Sequence, residues 1–140
     1  MDATTRTDDG FTLVELLVVI VIIGILSAIA LPSLAAQSKK GKIAALKSAL
    51  RNAAVVEEEL ATDDLPYATP GPAGLAQLQA EGYRASDSVE LTVVDDNMTA
   101  NGGGFCLRAH HATLTAADDW YYASTGANAG RPSATPCVAS

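Results

Sequence analysis

The chain has 140 residues, a formal charge of −7, 49% hydrophobic residues and only 5% aromatics. That length leaves room for one small domain beyond any anchor, and the acidic balance excludes a general phosphate-binding surface. Two cysteines and two histidines leave little from which to assemble a metal centre or a nucleophile–base set, so no cofactor and no enzymatic activity are expected.

The first ten residues carry Asp2, Asp8 and Asp9 against a single Arg6, the wrong sign for the n-region of a secretory signal peptide, although Ala28-Ile29-Ala30 offers an Ala-x-Ala site. Residues 11–34 are apolar or neutral except for Glu15. As a helix they would extend ~36 Å at ~1.5 Å per residue, enough to cross a hydrocarbon core of ~30 Å. A carboxylate near the bilayer centre costs ~2.5 kcal/mol or more. Glu15 lies near one end and costs less, but a plain anchor would not need it. Residues 16–23 are all Val, Ile or Leu, which makes the helix apolar on every side, suited to lipid and to a bundle of similar helices.

The run Gly10-Phe11-Thr12-Leu13-Val14-Glu15 resembles the N-terminus of a type IV pilin or pilin-like protein. The resemblance implies a leader, residues 1–10, removed by a membrane-embedded prepilin peptidase between Gly10 and Phe11, with N-methylation of Phe11. Removing the leader takes away three Asp and one Arg, moving the formal charge from −7 to −5. It also implies that Glu15 pairs with the new amino terminus of a neighbouring subunit during assembly. In physical terms, a carboxylate within an apolar bundle is tolerable only beside a cation, and cleavage creates one a single helical turn away. Pro32 matches a recurring family proline; here it is read as a helix kink, since proline removes a donor and crowds the preceding turn.

Beyond the membrane segment, Ile43, Leu46, Leu50, Ala53 and Leu60 keep a three–four spacing, interrupted by Glu57, so residues 35–62 read as an amphipathic continuation of one helix from about Thr12 to Ala61. Lys39, Lys40, Lys42, Lys47 and Arg51 occupy its middle, and Glu57, Glu58 and Glu59 its C-terminal turns, where acid opposes the helix dipole. That order suggests charges that guide the stagger of parallel copies; the alternative is a solvated polar face. Residues 67–74 (YATPGPAG) form a loop signal, and residues 75–82 a short helix. Strands are expected at 88–94, 105–111 and 120–124, linked by an Asn/Gly-rich stretch and by residues 112–119. The fold class is therefore α+β: a long N-terminal helix on a small antiparallel sheet, with residues 63–140 as the head.

Residues 126–140 read as a loop-like tail, tied down only by Cys137. Closing the segment between Cys106 and Cys137 by a disulfide would stabilise by ~3–4 kcal/mol in the chain-entropy model. Two buried thiols or a metal pair are the alternatives, although zinc spacing lacks a second ligand pair. The resemblance favours the disulfide, because pilins commonly staple this region. His110 and His111 fall on opposite faces of a strand and cannot easily share a metal. Asp95, Asp96 and Asn97 lack the alternation of an EF-hand loop. Gly102 to Gly104 lack a following Lys-Ser/Thr and form no phosphate loop.

The expected function is a structural subunit of a type IV pilus; the alternatives are a secretion pseudopilin, or a minor tip pilin acting in adhesion or DNA uptake. Expected partners are copies of itself, other pilins, the prepilin peptidase, a membrane assembly platform and, before assembly, the lipid bilayer; nothing supports a DNA or surface ligand. Lys39, Lys40, Lys42, Lys47 and Arg51 outnumber Arg6, so the positive-inside rule would place the head in the cytoplasm. The resemblance and the cysteine pair place it outside, with a cytoplasmic N-terminus.

Overall fold

The computed structural model describes residues 10–63, 66–84, 86–96 and 103–137. Helix α1 runs Leu13–Thr62 and α2 Pro72–Ala80, followed by strands β1 (Val89–Asp95), β2 (Cys106–His111) and β3 (Trp120–Ala123), with a 3₁₀ turn at Ala116–Asp118 before β3. The sheet is antiparallel in the order β1-β2-β3. Two compact units divide the chain, one ending at Ser38 and the other beginning at Lys39.

In the first unit every described residue is exposed, including Ile20, Ile25 and Ile29. This stretch makes α1 long and apolar enough to cross a membrane. In the second unit the same helix acquires one buried stripe. Leu46, Leu50, Ala53, Glu57 and Leu60 recur at steps of four and three and are all buried. They join a core with Leu91 and Val93 of β1 and Leu107 and Ala109 of β2, and each fully buried leucine contributes roughly 1.5–3 kcal/mol.

Strand parity assigns the faces. Val89, Leu91 and Val93 stand opposite His111, Ala109 and Leu107 on the core side, and Trp120 and Tyr122 continue that side across β3. Arg108 and His110 alternate to the other side. Phe105 is fully buried between Tyr67, edge-on at 5.1 Å, and Tyr122, stacked at 6.0 Å.

The strands lie within a residue of their expected limits. The second helix does not: it begins at Pro72, inside the stretch expected to be loop. Gly71 adopts φ 87° and Pro72 supplies a preset first helical residue whose missing N–H costs nothing there. Gly74 is buried against the Thr69 carbonyl, where a Cβ would collide. The tail also departs from expectation, because Cys137 does not hold it alone. Tyr121 and Ser133 exchange two backbone hydrogen bonds of 2.8 Å, and the Gly130 N–H donates to the Ala123 carbonyl at 3.0 Å. The bond between Cys106 and Cys137 then fastens the tail to the central strand, with a Cα separation of 6.1 Å.

Glu57, which seemed to break the apolar stripe, belongs to it. The side chain is fully buried; Oε2 accepts the Ala68 N–H at 2.9 Å while Oε1 has no partner. Burial pushes the carboxyl up to about 7 from an ordinary 4.5, only partly offset by the Ala68 hydrogen bond. The native state therefore binds the proton more tightly than the unfolded chain. The contribution of Glu57 to head stability should be greatest below pH ~4.5, fall as pH rises to ~7, and level off above, a span of a few kcal/mol at most. Glu57→Gln should flatten this slope and raise the melting temperature at pH 8, as measured by thermal denaturation of the full chain in detergent. An unchanged slope would show that Glu57 does not titrate in this window.

Candidate assembly interface

The site begins where α1 begins. Thr12 caps the helix: its Oγ1 accepts the Glu15 N–H at 3.2 Å, and Glu15 Oε2 accepts both the Thr12 N–H at 2.9 Å and the Thr12 hydroxyl at 2.8 Å. This is a reciprocal capping box, and its signature, Thr-x-x-Glu before an apolar run, is in the sequence at residues 12–15. The pairing of Glu15 with a new amino terminus is therefore not its only use in the chain. Glu15 already has two neutral donors, which satisfy one oxygen without cancelling the charge. Both bonds fall on Oε2, so Oε1 is left for a further donor. The acidic residue also stands in the first turn, where the helix dipole favours it.

Around this point everything is apolar and open. Phe11 is 90% exposed, and the aliphatic side chains from Leu13 to Leu34 are uncovered on all sides. A surface of this extent has to be covered by lipid or by protein. Pro32 lies within α1, which continues through it. Gly10 precedes the helix as exposed, non-helical backbone.

In the head, the charges are arranged differently from a simple polar face. Lys39 pairs with Asp118 at 2.7 Å, and the Lys47 ammonium sits 3.9 Å above the Trp120 ring. The Lys39 ammonium holds the Asp118 carboxyl below its ordinary value. On the outer sheet face, buried Asp119 accepts from Arg108 Nε at 2.7 Å and bonds His110 Nδ1 at 2.6 Å. His111 is buried on the opposite face, where its Nδ1 accepts the Thr113 N–H at 3.2 Å. The two histidines therefore belong to separate local networks, and among the described residues no group of three potential metal-ligating side chains is found. Asp95 closes β1 and Asp96 follows it; Asn97 and Gly102 lie outside the described residues, while Gly103 and Gly104 lead into β2.

Residues 5–31 match the model of the prokaryotic N-terminal methylation motif. Over 119 residues the chain is 32% identical to the type IV wide pilus major component PilA4 of Thermus thermophilus, an alignment that covers 85% of this chain and 83% of that protein. The chain belongs to the type IV pilin family. No solved structure matches it. As a pilin it is a structural subunit of a pilus, not an enzyme. Its apolar N-terminal helix serves membrane anchoring first and assembly with other pilins afterwards.

The capping box makes a local claim that can be checked in this pilin. Thr12→Val removes both hydroxyl bonds and should cost about 1 kcal/mol at the helix start. Amide exchange at residues 13–16 in detergent should accelerate several-fold. Unchanged exchange would mean that the cap does not hold the first turn.

Proposed function

We propose that this chain is a major pilus subunit whose precursor is cut between Gly10 and Phe11 and methylated on Phe11. The observation that carries the reading is the exposed apolar surface from Phe11 to Leu34, with Glu15 as its one charge, a helical turn from the residue that would become the terminus. The name of the Thermus relative supports a major role over a minor one. In this reading residues 1–10 are a leader, 11–34 the membrane and assembly segment, 35–62 its amphipathic continuation and 63–140 the head. The N-terminus faces the cytoplasm and the head the outside, where the Cys106–Cys137 bond persists. The prepilin peptidase and a membrane assembly platform are the partners this path requires. Pro32 is the point at which α1 bends most easily.

The chemistry of Glu15 follows a sequence. In the precursor the capping box satisfies Oε2 and lowers the cost of holding a carboxylate in lipid. Cleavage then makes an ammonium of Phe11. When a neighbour's ammonium reaches Oε1, the pair is neutral and fixed in register, because a buried carboxylate left unpaired is far costlier than a paired one.

Intact-mass measurement of the native protein should show loss of residues 1–10 and gain of one methyl group; a start at Leu31 would establish an ordinary signal peptide instead. Glu15→Leu should leave the protein inserted at normal levels while filament yield falls about tenfold or more, the scale of an unpaired buried charge. Normal filament yield from that variant would remove Glu15 from the assembly step.

A further inference from the structure

Eight charges line α1 between Lys39 and Glu59, and the head itself uses three of them. Lys39 is paired with Asp118, Lys47 lies over Trp120, and Glu57 is in the core. Arg51 and Glu59 are exposed and have no such use. One turn either way from Arg51 stand Lys47, Ser48, Ala54 and Val55; around Glu59 stand Val55, Val56, Thr62 and Asp63. Neither therefore meets an opposite charge on its own helix.

Between them sits Val55, 65% exposed; it and Val94 are the exposed large aliphatic side chains among the described residues of the second unit. Lys47, Arg51, Val55, Glu59 and Asp63 follow one another at steps of four and so form a single ridge. Each step of four overshoots a full turn by ~40°, so the ridge drifts around the helix as it climbs. Its basic end lies on one flank and its acidic end on the other. Beside the basic flank runs a groove of about 420 Å³, bordered by Arg51, Ala54, Val55, Glu58, Tyr122 and Gly130.

We propose that this groove seats a second, parallel copy of the chain, whose Glu59–Asp63 end lies against Arg51. The inference rests on the subunit reading above and specifies how neighbouring heads meet. Parallel copies related by a screw join one flank to the opposite flank, the arrangement in which a ridge basic on one side and acidic on the other is complementary to itself. Glu58 borders the upper part of the groove and repels an approaching carboxylate there, which directs the neighbour's acid toward Arg51. Arg51 and Glu59 are eight residues apart, so the contact sets an axial offset of ~12 Å between copies. This replaces the broader expectation that all the lysines and all three glutamates act together.

The test uses the full chain in pilus-forming cells. Arg51→Cys and Glu59→Cys, co-expressed and treated with a short bismaleimide in sheared filaments, should give a cross-linked dimer on reducing gels at least about fivefold above either variant alone. Equal yields, or a cross-link from Cys at position 51 to a different protein, would overturn the proposal. In parallel, Glu59→Lys should lower filament yield about tenfold, and adding Arg51→Glu in the same chain should restore it to within about twofold. Normal amounts of each variant in the membrane fraction exclude simple misfolding. Single reversals that assemble like the wild type, or a double reversal no better than the worse single one, would sink the contact while leaving the subunit reading intact. Absence of filaments from the wild-type chain would sink the subunit reading itself.

Discussion

One uninterrupted helix must satisfy two environments in succession, and most of the structure answers that constraint. Along its first half no side chain has an interior to enter, so solvent preference alone dictates composition: aliphatic at nearly every position and charged at one. Along its second half the apolar residues contract to a stripe, because a sheet now covers one side and water the others. Backbone hydrogen bonding can continue unbroken through that change, since a helix satisfies its own donors and acceptors whatever surrounds it.

The head is small, and its economy shows in what it recruits. Three short strands cannot cover a helix by themselves, so Tyr67, Phe105 and Tyr122 supply bulk at one edge and α2 closes another. Charged groups are enlisted as well. Lys47 lends its stem and ammonium to Trp120, and Asp119 is buried because Arg108 and His110 meet both of its oxygens. Glu57 is the exception. It is a carboxyl in the core with one oxygen unsatisfied, held there by a main-chain N–H from the segment that leaves α1.

Much of this was legible in the sequence because periodicity reports burial. The spacing of Leu46, Leu50, Ala53 and Leu60 announced the buried stripe, and the strand signals at 88–94, 105–111 and 120–124 announced the sheet. Three things were hidden for separate reasons. The Thr12–Glu15 box was written in the chain, but the functional weight of Glu15 obscured its ordinary role as a cap. Pro72 reads as a breaker until one sees that it opens a helix, where proline is at home. Which charges on α1 serve the head could not be read at all, since Asp118 and Trp120 are 79 and 73 residues from their partners and only the folded sheet brings them to Lys39 and Lys47. The pairing of Cys106 with Cys137 was favoured by resemblance, whereas the strand-like bonds of the tail to β3 left no pattern to detect.

The sulfur link has a mechanical consequence. Tension entering along α1 passes through the main chain to Cys106, and tension applied beyond the tail enters at Cys137. The covalent bridge between those two points is far shorter than the thirty residues it encloses. A pull between helix and C-terminus is therefore carried covalently across sulfur, and the main chain of residues 107–136 lies outside that covalent path. What still couples those residues to the load is non-covalent: the Lys39–Asp118 pair, the Lys47–Trp120 contact and the ladder between β1 and β2. While the sulfur bond holds, their main chain cannot be drawn out straight.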